Sequence, residues 1–421
     1  MRKSFIMLFA LLLSFVTACS DQSVWHGKDR GGSEKSKPDP MLSFKAATSI
    51  EGMLKEGPGK YAEEIEPTGY TPTLPDSVRA KLRTFSPKLN ASEAYNRLIY
   101  LLAQDYQPIA KKIDQYDSRI PLSSQRKSAP KSVIKSPVHV NIALVIDASS
   151  VQQKKVNSEQ TRFDTIKQKI KEAIHDVLNS GTNGLEYSIS IHTYGGKVDK
   201  DTSFIKIAGA APGQSDDSMQ ELTSALDGVK LGGASKLSDA LSQVQIEFNQ
   251  KNSPNDVNQV FVVSSSLDAI DDQALTKTKE LLYSEGQAQV STLSYDSKDN
   301  KLKEKLDDIA FAGLGESREV DKDSGFNFKD QSTGIGDDFG LFETNDLYSY
   351  TWAEIMKNRK RNQLLKLDPK FNFEYEILTA AAEELKISQS EKDLLLQKIT
   401  NRRDRLKDYL QGKLETLIPE K

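Results

Sequence analysis

The sequence predicts an α/β fold: a doubly wound, mostly parallel sheet flanked by N-terminal and C-terminal helical regions. Three observations predict it. Residues 138–146 and 260–264 are short, predominantly apolar runs, the pattern of strands buried on both faces. Amphipathic stretches separate these runs, as they do where helices cover a parallel sheet. Asp147, Ser149 and Ser150 directly follow the first run, at the position where open parallel sheets hold ligands.

The strand at 138–146 leads to a helix over 163–178, with Ile166, Ile170, Ile174 and Val177 on one side. Residues 186–194 alternate as a strand, and 204–208 pair beside it. Helices are predicted over 215–229 and 236–248, then a buried strand at 260–264 and a helix over 271–283. A strand at 289–295, a helix over 301–311 and a closing strand at 317–320 complete one domain over 138–320. Before it, 42–120 is helical and punctuated by proline, and 121–137 is a linker rich in Ser, Lys and Pro. The clearest helix there covers 91–106, with Tyr95, Leu98, Ile99, Leu102 and Tyr106 on one face and Ser92 as cap. After it, 321–340 is a second linker, and 341–421 a helical C-terminal region built as a hairpin of 377–385 and 394–417. Ser388 or Ser390 starts the last helix. Arg402, Arg403, Asp404 and Arg405 read as a solvated face, and Tyr348, Tyr350 and Trp352 as core.

The chain opens with Arg2 and Lys3, an apolar run over 5–16, then Thr17, Ala18 and Cys19: the charged, apolar and small-residue parts of an export signal. The apolar run falls short of the roughly 18–20 residues that a permanent membrane helix needs, so residues 1–18 are expected to be removed. Val16-Thr17-Ala18-Cys19 resembles the bacterial lipobox. That resemblance implies a lipid attached at Cys19, which becomes the new N-terminus, and a lipoprotein on the extracytoplasmic face of the cell membrane. Residues 19–41 then read as a flexible tether. Cys19 is the only cysteine, so no disulfide forms within the chain. The formal charge is −3, and losing residues 1–18 removes two basic and no acidic residues. Neither balance suggests a nucleic-acid partner.

Asp147-Ala148-Ser149-Ser150-Val151 resembles the start of a von Willebrand factor type A domain, whose metal ion-dependent adhesion site has the pattern Asp-x-Ser-x-Ser. Gly232-Gly233-Ala234-Ser235 stands where that family has its metal-binding Thr loop, and Val262 to Ser266 where it has its fourth strand and an Asp. Gly57-Pro58-Gly59-Lys60-Tyr61 and Leu101 to Tyr106 resemble segments of type A domain lipoproteins of Gram-positive bacteria. The resemblance implies Mg²⁺ held by Asp147, Ser149 and Ser235, with Ser265 on the interaction face. Two positions depart from the pattern: Val151 replaces the second Ser, and Ser265 replaces the Asp. A degenerate metal site is therefore expected, in which Asp147 caps its own turn or accepts from Ser149 and Ser235. The implied function is an adhesion-type protein-interaction module binding an envelope protein. The alternative is a metal-independent scaffold that recognises partners through its helical flanks.

No catalytic residue is assigned, and no enzyme is expected. The four histidines, at 26, 139, 175 and 192, form no metal-like pair. Ser-x-x-Lys occurs at Ser124, Ser128 and Ser132, all in the linker and without companion motifs. Asp321, Asp323 and Gly325 lack the remaining oxygens of a calcium loop, and Gly313 and Gly315 lack the third glycine and the following helix of a nucleotide fingerprint.

Overall fold

The computed structural model describes residues 39–65, 73–129, 138–156, 158–179, 185–198, 202–207, 215–251, 253–320 and 351–418. The chain forms two compact units, Met1–Ser43 and Phe44–Lys421. The described part of the first is the short helix α1 (Pro40–Ser43); every later element belongs to the second. Cys19, Tyr348, Tyr350, Ser132 and the linker at 321–340 lie outside the described residues.

Helices α2 (Ile50–Lys55), α3 (Asp76–Leu82), α4 (Ala91–Leu102), α5 (Gln107–Asp114) and α6 (Ser124–Ser128) precede the sheet. The α/β region then runs β1 (Val138–Asp147), α7 (Arg162–Asn179), β2 (Leu185–Tyr194), β3 (Gly196–Val198), β4 (Thr202–Ile207), α8 (Ser215–Asp227), β5 (Val229–Leu231) and α9 (Leu237–Gln250). It continues with β6 (Asp256–Ser264), α10 (Ala274–Tyr283), β7 (Ala288–Tyr295), α11 (Asn300–Ala312) and β8 (Leu314–Val320). The chain ends in α12 (Trp352–Leu365), α13 (Asp368–Glu384) and α14 (Gln389–Leu417).

The main sheet has the order β4-β2-β1-β6-β7-β8. Its strands are parallel except β4, which pairs antiparallel with β2. This is the expected doubly wound α/β fold. Strand β1 shows why the sequence folds this way: Val140, Ile142, Leu144 and Ile146 pack with Ile166 and Ile170 of α7, while Ala143 and Val145 pack with Leu241 of α9 and Leu306 of α11. Period-two alternation with apolar residues on both sides satisfies two helical layers at once.

Several boundaries differ from the sequence reading, and the expected C-terminal hairpin is a set of three helices, α12 to α14. The helix predicted to 229 stops at Asp227, and Val229–Leu231 pairs antiparallel with Gly196–Val198; three residues are too few for alternation to register. Helix α10 begins at Ala274 because Asp271 is engaged elsewhere, accepting from the Ser238 hydroxyl at 2.6 Å and its N–H at 3.2 Å at the start of α9. Asn90, not Ser92, caps α4 by accepting from the Glu93 N–H at 2.9 Å. Ser388 caps α14.

The helices before and after the sheet share one core. Met53, Leu54, Tyr106 and Ile109 pack with Phe371, Leu406, Leu410 and Leu414. The Gly59 N–H bonds the Ala103 carbonyl at 2.7 Å, and the Tyr61 N–H bonds that of Leu101 at 2.8 Å. The last carbonyls at the end of α4, which no helical N–H can reach, are thereby satisfied. A Cβ on Gly59 would meet the Leu102 nitrogen at 2.4 Å, so only glycine allows this approach. The two segments singled out in the sequence thus belong to one structural joint.

Arg402 corrects the expectation of a solvated face on α14. It is 1% exposed, donating to Glu374 at 2.8 and 3.2 Å and to Glu56 at 2.7 Å. Its partners lie far away in sequence, so local charge patterning carried no trace of them. Arg403 does pair on the surface side, with Asp404 at 2.7 Å. Trp352 is core, as expected; its Nε1–H donates to the Pro254 carbonyl at 3.0 Å, and the Arg126 guanidinium lies 3.8 Å from the ring centroid.

Candidate functional site

From β1 the chain moves through β2 and β4 to one side of the sheet, then through β6, β7 and β8 on the other. The loops leaving β1 and β6 therefore diverge, opening a crevice at their carboxyl ends. Asp147 closes β1 there, and Ser265 directly follows β6.

Asp147 is wholly buried. Its Oδ1 accepts from the Ser149 N–H at 2.9 Å, and its Oδ2 from the Gln152 amide at 2.8 Å. The Ser266 hydroxyl and the Ser265 N–H approach Oδ2 at 3.4 and 3.5 Å. A single 3₁₀ turn over Ser150–Gln153 carries Gln152 inward, where its Nε2 also donates to the Ser265 hydroxyl at 2.5 Å. Turning the amide over would set Oε1 against the carboxylate, acceptor facing acceptor. The Gln152 amide thus bridges Asp147 and Ser265, the two positions that stand in the pattern for carboxylates flanking an ion. Behind them Tyr194 is fully buried. Burial, and then the Asp147 charge, hold its phenol well above the usual tyrosine range.

Ser235 is turned elsewhere. Its hydroxyl donates to the Gly196 carbonyl at 3.2 Å, and its own carbonyl accepts from the Gly195 N–H at 2.8 Å. Gly195 has φ +68°, and a Cβ there would meet the Ser149 nitrogen at 2.9 Å. The glycine loops are therefore packed onto the β1 turn by backbone contact. Of the residues expected in the site, Asp147, Ser149 and Ser265 come together; Ser265 is buried, so the exposed surface above it belongs to Ser150, Gly232, Gly233, Ala234 and Lys236.

A hard divalent ion such as Mg²⁺ takes six oxygens in near-ideal octahedral geometry. Here the one carboxylate among the site's described residues has both oxygens directed at protein donors, the Val151 side chain offers no oxygen, and Ser265 stands where the pattern has a second carboxylate. The Ser149 Oγ and the Gln152 Oε1 are the site's buried polar atoms left without a partner among the described residues. This donor set does not fit the ion. Gln152 was missed by sequence reasoning because the pattern directs attention to Val151, one residue earlier. The available signal was an amide one step along a turn too short to place both side chains outside.

Other chemistry-bearing residues have structural partners. His192 Nε2 faces both the Ser190 hydroxyl at 3.1 Å and Glu247 at 2.9 Å; a catalytic relay needs acid and hydroxyl on opposite ring nitrogens. His139 lies between Glu186 and Asp256, at 3.4 Å from each. The Ser124 hydroxyl donates to Glu285 at 2.8 Å, and that of Ser128 to the Ser124 carbonyl. Among the described residues, no three His, Cys, Asp or Glu side chains form a metal-holding group. None of the described helices is long and apolar enough to cross a membrane.

No family model and no curated protein matches the chain. Solved structures similar to it include the von Willebrand factor type A protein from Catenulispora acidiphila, at 16% identity and TM-score 0.32 over 53% of this chain and 43% of that one. The pilus adhesin SpaC from Lactobacillus rhamnosus GG is similar at 13% identity and TM-score 0.33, over 55% and 32%. The PilB minor pilin from Streptococcus sanguinis is similar at 11% identity and TM-score 0.34, over 50% and 62%. The chain spans less than half the length of the first two. Its fold assignment rests on its own strand order and registers.

Proposed function

We propose that this chain is a lipid-anchored module of the cell envelope that binds another protein without a metal ion. It acts through the crevice at the carboxyl ends of β1 and β6. The observation that carries this reading is the Gln152 amide bonded to both Asp147 and Ser265. It compensates the buried carboxylate with neutral donors and leaves the overlying turns, Ser150 and Gly232 to Ala234, exposed. The type A resemblance of the sequence supplies the adhesion-type role, and the lipobox resemblance at Cys19 supplies the anchor. No catalysis is assigned.

Photo-crosslinking in the native cell tests it. A crosslinker at Ser150 or Ala234 is expected to trap one discrete partner, while one at Lys386 on the helical side traps none. The reverse pattern would transfer recognition to the helical flanks and make the chain a scaffold. Cys19→Ser is expected to move the protein out of the membrane fraction. Retention there would remove the anchor from the reading.

A further inference from the structure

Strands β1 and β6 are hydrogen-bonded neighbours, with Ile146 opposite Val263, so their carboxyl ends set Asp147 and Ser265 side by side. The Gln152 Nε2 lies 2.8 Å from the Asp147 Oδ2 and 2.5 Å from the Ser265 Oγ. An amide nitrogen carries two N–H donors, and both are spent on this bridge. A Mg²⁺ ion bound to Oδ2 would stand about 2.0–2.1 Å from it. On the side toward Ser265 that place is filled by the nitrogen, whose hydrogens turn their positive ends into it. The other oxygen, Oδ1, is turned to the Ser149 N–H at 2.9 Å. The chain itself holds the amide there. Gln152 is 0% exposed, its N–H bonds the Ser149 carbonyl at 3.0 Å, and the Lys154 N–H bonds that of Val151 at 3.2 Å. The Gln152 Oε1 meets no partner among the described residues, so the nitrogen alone orients the amide.

Exchanging a divalent ion for a neutral amide changes how much negative charge the crevice floor can hold. Two carboxylates can share a buried site beside a cation, but without one the second charge is costly. Ser265 removes that second charge and accepts from the amide instead. Val151, with no ion to ligate, is left half-buried while Gln152 beside it is turned inward. The two departures from the adhesion pattern and the placement of Gln152 are thus parts of one exchange. We propose that the Gln152 side chain is the resident occupant of the ion's place, a built-in amide that excludes divalent cations and holds the crevice in one ion-independent state. Recognition there has no divalent-ion switch. This occupancy rests on the metal-free reading of the crevice and is independent of the partner: crosslinking at Ser150 or Ala234 can fail while it stands, and it can fail while crosslinking succeeds.

Calorimetric titration of the full-length chain with Mg²⁺ and Mn²⁺ tests it in three forms: the parent, the pair Val151→Ser with Ser265→Asp, and that pair with Gln152→Ala added. The parent and the pair are expected to show no saturable binding, because the amide stays in place. The triple variant should bind at least tenfold more tightly than the pair. Saturable binding by the parent, equal binding by the pair and the triple variant, or a folded triple variant that binds neither ion would overturn the proposal. If a variant fails to fold, nuclear magnetic resonance of the parent decides. Excess Mn²⁺ should leave the side-chain amide signals of Gln152 as sharp as those of the buried Asn258 on β6. Selective broadening of the Gln152 pair would overturn the proposal on the natural sequence.

Discussion

Asp147 and Arg402 are both essentially buried, and the two regions that hold them compensate charge differently. At the carboxyl end of the central strand β1, Asp147 is surrounded by dipoles: backbone N–H groups, a hydroxyl and one amide. In the helical body, Arg402 meets two carboxylates, and the Glu374 carboxylate also accepts from the Gln104 N–H at 3.0 Å. A dipole cage compensates a carboxylate with several neutral donors, none of which carries a charge that its loss would strand. An ion pair leaves each partner dependent on the other. The site that resembles an ion-binding centre thus compensates its charge with neutral groups, and the region with no such resemblance holds the interdependent charges.

The largest break in this comparison is expected from Arg402→Met, which strands Glu374 and Glu56 and should lower unfolding stability by about 3–5 kcal/mol in urea titrations. Adding Glu374→Leu should restore much of that loss. A double variant no better than the single would mean that the pairing is not what the region depends on. At the end of β1, Asp147→Ala leaves the Ser149 N–H and one N–H of the Gln152 amide without an acceptor, at a cost of about 2–3 kcal/mol. Mg²⁺ should shift the melting temperature of neither this variant nor the parent, and a saturable rise in the parent would contradict the dipole account.

Lys360 sharpens the comparison with a third arrangement, a buried cation that donates to the Asp117 carbonyl and the Tyr283 hydroxyl beside the rings of Tyr116 and Tyr283, with the Asp117 charge acting on it without an ion pair. Its folded-state pKa, about 8, lies below the unfolded value near 10.4. Between these values the unfolded chain binds more protons, so the parent gains stability relative to Lys360→Met as pH rises, by about 1 kcal/mol per pH unit. A flat difference across that window would show that the amine is not held down. Ser124→Ala, on the surface, should change stability by less than about 0.5 kcal/mol.

The sheet was legible because β1 and β6 announce two-sided burial in consecutive residues, and the turn at Asp147 because the acid ends the run. Arg402 was not, since its partners Glu374 and Glu56 come from other helices and α14 shows only its own apolar stripe. Gln152 was a near miss. The pattern fixes which positions ought to ligate, but the curl of one 3₁₀ turn decides which side chain faces inward. The short strands β3 and β5 were invisible because three residues have no period to measure.

Helices α2 and α5, with Tyr106, and helices α12 to α14 complete one another's core across the whole length of the sheet region. A chain emerging from its amino end therefore makes its first helices long before their packing partners exist. Met53 and Tyr106 wait for Leu406 and Leu414, while the sheet between them can close on its own neighbours. Folding should be ordered accordingly, with the α/β layer forming early and the helical body last. The closing of that late, high-separation joint should set the slowest step of maturation.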